Sequence, residues 1–317
     1  MKHVFIINPR AGKKNSTAQL MDQIESLRRK HGIRCETLLT CRAGHGEEIA
    51  GRIAESGEEV RIYACGGDGT FNEVVNGAAG APNVEVTVVP IGTGNDFIKN
   101  FGADAPRFLE LEQLWDAPSH PLDMIECNGR VAMTIVCVGL DARVADDVHK
   151  YSKYPGVTGK GAYLASLGMN FCKGITNHLM IRCDERTTLG EYALLCVCNG
   201  RYYGGGFMPV AEARMDDGIL DTLIVRKVSR ATFLKLVPAY AKGNARNYPK
   251  IAQHLRSRRI EFHGQEKLAI SLDGEIMHAQ DAVISLSPYQ LRFFAPEGAS
   301  CNSTARPLIE LPREKRK

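Results

Sequence analysis

Nowhere in these 317 residues is there an apolar run long enough to cross a bilayer, and the opening MKHVFIINPRAG is apolar for only a few residues before Asn8 and Pro9. Neither a signal-peptide core nor a membrane span is expected. The ten cysteines lack any C-x-x-C pair, and the closest two, Cys196 and Cys198, fall in the strand-like YALLCVCNG. They are expected to be reduced, buried thiols of a cytoplasmic protein rather than metal ligands or a disulfide framework. A net charge of +4 is too small to argue for nucleic-acid binding. Internal repeats and low-complexity linkers are also missing, and only Gly298 to Lys317 reads as a polar, basic tail. With 44% hydrophobic and 24% charged residues, the chain can bury a sizeable core and is long enough for two domains.

The first third alternates apolar and amphipathic segments. HVFIIN reads as a strand. After PRAGKK comes STAQLMDQIESLRRK, where Leu20, Ile24 and Leu27 recur at helical spacing and Ser16 with Gln19 forms a capping box. IRCETLLT with GHGEEIAGRIAES, VRIYAC with FNEVVNGAA, and VEVTVVP with FIKNFG repeat the strand-loop-helix pattern. Four such units predict a doubly wound parallel α/β domain, whose ligands bind beyond the carboxyl ends of the strands. There Asn8 to Lys13, Thr40, Gly66 to Asn72 and Gly92 to Asp96 would converge. From Asp123 onward the texture becomes short, turn-punctuated strands, the first pair joined by Asn128-Gly129, which predicts an antiparallel second domain. Two helical segments, GAYLASLGMNFCK and SRATFLKLVPAYAKG, are expected to interrupt it. The expected division is residues 1–123, with about 290–317 returning to that domain, and residues 124–289.

The segment YACGGDGTFNEVVNG contains a contradiction. Gly66, Gly67 and Gly69 allow close approach of backbone to a phosphate at a helix start, yet Asp68 would repel one. A divalent cation between acid and phosphate removes the conflict, so the loop points to a metal–nucleotide complex. Thr70 and Glu73 also form a capping box, which explains those two residues but not three glycines and an acid in four positions. PIGTGNDF is a second glycine turn after a strand, in which Asn95 and Asp96 are either nucleotide-site residues or helix caps.

Taken in order, NPRAG, GGDGTFNEVVNG and PIGTGNDF resemble the diacylglycerol kinase catalytic family, which includes bacterial soluble lipid kinases and sphingosine and ceramide kinases. The likeness continues through NGRYYGGGFMPVAEARMDDGILD and SLDGE, so it covers Asn8 to Glu275. Departures are Ala211, where the family often has proline, and Ile98, where a small residue is common; neither removes a group the chemistry needs. The resemblance implies an NAD-kinase-like α/β domain followed by an antiparallel β-sandwich. It further implies ATP binding by Asn8, Pro9, Arg10, Ala11, Gly12, Thr40, Gly66, Gly67, Asp68, Gly69, Thr70, Phe71, Asn72 and Thr93, with Asn95 and Asp96 beside them, and Asp68 acting on phosphate-bound Mg. A second, structural Mg would take the carbonyls of Arg214 and Ile219 and the side chain of Asp217. The same Asp-Asp-Gly also reads as a plain hairpin turn. Asp273 and Glu275 correspond to the family's general-base motif, with Asp273 the favoured base.

The implied activity is ATP- and Mg-dependent phosphorylation of diacylglycerol or a similar lipid alcohol. Sphingoid bases, ceramide and NAD are alternative acceptors, and a catalytically silent nucleotide-binding regulator is the alternative outside enzymes. Such a kinase would meet its lipid at the bilayer surface as a peripheral, cytoplasmic protein, with a homodimer left open. Candidate basic contacts are Lys150, Lys153, Lys160 and Lys173, the segment ARNYPKIAQHLRSRRI, and the tail PREKRK.

Overall fold

Three of the four apolar runs of the first ninety residues become strands buried on both faces, because helices pack above and below them. The computed structural model describes residues 1–12, 16–151, 166, 169–171 and 173–301. β1 (Lys2–Ile7), β2 (Cys35–Leu39), β3 (Val60–Gly66) and β4 (Val84–Pro90) alternate with α1 (Ser16–His31), α2 (His45–Glu55) and α3 (Asp68–Ala78). All seven residues of β4 are buried, whereas edge strand β2 has none. α1 buries Leu20, Ile24 and Leu27. The segment after β4 differs from the expected helix. It is a run of 3-10 turns, Phe97–Leu109, broken where Gly102 takes φ +56° and carrying Pro106, which cannot donate to a helical ladder.

β5 (Ser119–Leu122) leads into the second domain: β6 (Ile125–Cys127), β7 (Arg130–Ala132), β8 (Ile135–Gly139), α4 (Leu140–Tyr151), β9 (Asn177–Cys183), β10 (Arg186–Cys198), β11 (Leu220–Arg226), α5 (Arg230–Tyr240), β12 (Ala252–Ser257), β13 (Arg259–Leu272) and β14 (Glu275–Leu286). β15 (Leu291–Phe294) then returns to the first sheet, whose order is β2-β1-β3-β4-β15-β5. It runs parallel to β4 and antiparallel to β5.

The second sheet has the order β12-β11-β10-β8-β13-β14-β6-β7, and β9 pairs with both β10 and β13, so the sheet folds over on itself. Alternation along β8 shows both faces at work. Val136 and Val138 enter the interior with Leu195, Ile270 and Leu272, while Ile135 and Cys137 face a second core with Leu223, Phe233 and Leu236. α5 fulfils one expected helix, capped by Ser229 Oγ accepting the Thr232 N–H. The other expected helical segment lies largely outside the described residues, and α4 was not anticipated. No helix among the described residues is long and apolar enough to cross a membrane.

Hydrogen bonds clamp the two sheets together. Arg130 of β7 grips Glu47 of α2 with two bonds of 2.6 and 2.9 Å, Asn76 of α3 exchanges bonds with the backbone of Val131, and the Arg201 N–H donates to Asn100 Oδ1.

Candidate active site

Three strand-end turns stack backbone against backbone. The Gly92 N–H donates to the Gly66 carbonyl at 3.0 Å, and a Cβ on Gly92 would lie 2.4 Å from the Gly67 Cα. Gly12, at φ +75°, leaves its missing Cβ 2.1 Å from the Ile91 carbonyl. Side chains at either position would push the turns apart. Asn8 joins the same corner, donating to Thr70 Oγ1 and accepting the Arg10 N–H, while the Thr40 N–H donates to the Ile7 carbonyl at the end of β1. Asn95 rivets the second turn, donating to the Pro90 and Gly92 carbonyls at 2.9 and 2.8 Å. Gly12, Thr93 and the start of α1 border a groove of about 570 Å³ on one side of this stack.

The Thr70–Glu73 capping box does not form. α3 begins at Asp68 behind Gly67, so Thr70 already lies inside the first turn and the box is out of register. Glu73 instead accepts the N–H groups of Gly44 and Gly46 at 2.8 and 2.9 Å, capping the neighbouring α2. Phe71 packs against Phe97 and Phe293, and Asn72 is directed to Val131 and Asn76.

Asp68 bridges the two glycine turns by accepting the N–H groups of Asp96 and Phe97 at 2.9 and 3.1 Å. Burial raises its pKa, those N–H groups oppose the rise, and the Asp96 carboxylate adds to it. Opposite stands Asp273, at φ +50° in the turn between β13 and β14. Its carboxylate accepts from the backbone N–H groups of Met133, Thr134 and Ile135 at 2.6, 3.1 and 2.8 Å. Three donors favour the ionised form, but burial outweighs them and Asp68 adds its negative charge, leaving the Asp273 pKa at about 6. Asp68 and Asp273 line one cavity of about 210 Å³ together with Asp96, Asp141, Thr134, Ser271 and Tyr203. Glu275 reaches the same corner, its Oε1 3.7 Å from where a Cβ on Gly69 would stand.

Four carboxylates line this cavity, and no cationic side chain does so among the described residues. The nearest relief is Lys99, which pairs with Asp96 Oδ1, whereas Asp96 Oδ2 accepts the Gly205 N–H at 2.7 Å. Such a surplus of enclosed negative charge fits a divalent cation. The Arg214–Ile219 loop is different. Asp217 Oδ1 accepts the Ile219 N–H, and Oδ2 lies 2.6 Å from the Arg256 guanidinium. Arg258 donates to the Gly218 carbonyl, and Asp123 accepts the Gly218 N–H. The loop is therefore held by two arginines and an aspartate, and a cation at Asp217 would have to compete with Arg256 for its carboxylate.

Among the basic clusters, Arg246, Arg256 and Arg259 are paired within the chain, to Glu212, Asp217 and Glu261, and Lys173 pairs with Asp147. Lys153, Lys160 and the PREKRK tail lie outside the described residues, and of Lys150 only its place at the end of α4 is described. Asp123, Asp141, Tyr203 and Tyr240 are polar groups near the cleft that sequence reasoning passed over. The signal for Asp141 was the spacing of Leu140, Val144 and Val148, an amphipathic helix starting directly at the end of a strand.

Residues 2–127 match the diacylglycerol kinase catalytic domain, and residues 134–295 match the YegS C-terminal NAD kinase beta sandwich-like domain. Proteins of Staphylococcus aureus strains JH9 and N315, both named as candidate lipid kinases, are 28% identical over 219 residues, 68% of this chain and 70% of theirs. The crystal structure of a candidate diacylglycerol kinase from Bacillus anthracis str. Sterne superposes with a TM-score of 0.74 at 22% identity, covering 94% of this chain and 98% of that one. Yeast NADH kinase complexed with NADH superposes at 0.51 with 12% identity, covering 93% and 83%. These two likenesses establish the fold: a parallel α/β domain of NAD-kinase type joined to an antiparallel β-sandwich. The chain belongs to the diacylglycerol kinase catalytic family and is a phosphotransferase whose acceptor is an alcohol.

Proposed function

We propose that this protein is an ATP- and Mg-dependent lipid kinase that phosphorylates the hydroxyl of diacylglycerol or a similar lipid alcohol, as the names of its relatives suggest. The observation that carries this reading is the meeting of Asp68, from a glycine turn of the first sheet, with Asp273, from a turn of the second, in one cavity. Phosphoryl transfer asks a protein chiefly to align the γ-phosphate, offset its charge and take up the acceptor proton. The stacked turns at Gly12, Gly66, Gly67 and Gly92 and the free N–H groups opening α3 suit the phosphates. Mg²⁺ bound at Asp68 would offset the negative charge that carboxylates and phosphates otherwise bring together. Asp273 is suited to accept the acceptor hydroxyl's proton: at about 6, its pKa leaves it ionised at neutral pH while close enough to bind a proton. Glu275 stands beside it as a partner. Work on a lipid acceptor would place the protein at a membrane surface, as a peripheral cytoplasmic enzyme.

The test uses γ-labelled ATP, Mg and dispersed lipid alcohols. Label is expected in the lipid phase with the wild-type chain and none with Asp68→Ala, whose circular dichroism should match wild type. Wild-type turnover by Asp68→Ala would remove Asp68 from the chemistry, and label that never enters any lipid would remove the lipid acceptor.

A further inference from the structure

Asp141 is a half-buried carboxylate to which the phosphoryl-transfer roles above give no task. It sits in the first turn of α4, directly after β8. Its Oδ2 accepts the phenolic O–H groups of Tyr203 and Tyr240, at 2.5 and 2.8 Å. Burial raises its pKa, the two phenols pull it back, and no cation contributes. Oδ1 receives no hydrogen bond among the described residues, although Asp141 lines the cavity that holds Asp68 and Asp273.

Asp141 and Tyr203 also form the partition between that cavity and a second one of about 50 Å³, walled by Leu140, Leu194, Phe207, Phe233 and Leu236. The cleft therefore has one end at Asp68 and Asp273, and a far end where Asp141, Tyr203 and Tyr240 stand against an apolar wall. A carboxylate partly withdrawn from water in this way gains from donors that meet its lone pairs. Both nearby phenols are already spent on Oδ2. An ester carbonyl has no proton to give Oδ1, whereas a hydroxyl or an ammonium does.

We propose that Asp141, oriented by Tyr203 and Tyr240, is the acceptor-recognition residue, and that it selects lipid alcohols carrying a second hydrogen-bond donor, hydroxyl or amino, close to the reacting hydroxyl. This rests on the lipid-kinase reading of the cleft and ranks acceptors within it. Monoacylglycerols and long-chain amino diols have such a donor; diacylglycerols offer only ester oxygens beside their single hydroxyl.

The experiment measures kcat/KM of the full chain in mixed micelles for monooleoylglycerol, a long-chain 2-amino-1,3-diol and dioleoylglycerol, each with Mg and labelled ATP. Wild type should favour the first two, and whichever of them is faster identifies the donor as hydroxyl or ammonium. Asp141→Asn should lower kcat/KM for both by about 10- to 100-fold, the loss of a hydrogen bond to a charged group, and by a clearly smaller factor for dioleoylglycerol. Tyr240→Phe keeps the ring, removes one O–H, and should weaken the same two acceptors by a smaller factor, which serves if the asparagine variant folds poorly. If the variants scale all three acceptors equally, or wild type prefers dioleoylglycerol, the recognition role is wrong and the kinase reading survives. If wild type labels none of the three, the lipid-kinase reading itself falls and takes this proposal with it.

Discussion

Asp273 should make the stability of this protein fall as pH rises through the mildly acidic range. Its pKa moves from 3.8 to about 6 on folding, because its carboxyl leaves water and faces the Asp68 carboxylate. At 1.36 kcal/mol per unit, roughly two units amount to about 3 kcal/mol. The folded chain holds the Asp273 proton more tightly than the unfolded chain, so between about pH 4 and pH 6 it is the folded state that binds more protons. Stability is therefore greatest below the unfolded value, declines across that window, and above it stays lower by up to about 3 kcal/mol. Urea unfolding of wild type and Asp273→Asn at half-unit steps from pH 4.5 to 7.5 isolates the effect, since asparagine does not titrate. The wild-type advantage over the variant should shrink by about 2 kcal/mol across the series, whatever the variant's fixed loss from presenting an amide to the Met133 and Ile135 N–H groups. Saturating Mg with a non-hydrolysable ATP analogue should flatten the slope, because a cation in the cleft favours the ionised carboxylate. A wild-type-minus-variant difference independent of pH would refute the argument that burial outweighs three backbone donors at Asp273, and with it the reason for treating this acid as a tuned base.

Three further outcomes test other parts of the frame. Gly92→Ala puts a methyl 2.4 Å from the Gly67 Cα; the two turns must separate, so a loss of about 1–3 kcal/mol and a higher KM for ATP are expected from a thermal melt and a rate assay, and an unchanged KM would detach these turns from the nucleotide. Glu73→Ala uncaps α2 and should cost about 1–2 kcal/mol in urea, whereas a purely solvated Glu73 would cost almost nothing. In wild type, EDTA should leave the melting temperature of the ligand-free chain unchanged because Arg256 already neutralises Asp217. In Arg256→Ala, added Mg should raise it, and a melt that drops on chelation equally in wild type and in Asp68→Ala would show that the 214–219 loop holds a metal after all.

What could be read from the sequence divides along the range of the interactions. Leu20, Ile24 and Leu27 declare α1, and Asn128-Gly129 declares its hairpin with φ of +48° and +82°, because helical spacing and turn chemistry are local. The glycines and Asp68 mark the tight stacked turns for the same reason: backbone freedom and charge conflict sit within four residues, and these carry the proposed phosphate site. What escaped depends on partners far along the chain. Glu73 looks like a self-capping residue until α2 arrives 27 residues away in sequence and offers two better-placed N–H groups. Asp217 reads as a metal ligand or a turn residue, and β12 brings Arg256, 39 residues on, to its carboxylate as a competitor for any cation. Asp141, Tyr203 and Tyr240 come from three separate elements and share no motif, yet each is intelligible once burial is known, since a carboxylate inside a protein must find donors. Among the described residues Asp141 pairs only its Oδ2 and lines the cleft with its other oxygen still open to a donor, at the end opposite Asp68 and Asp273.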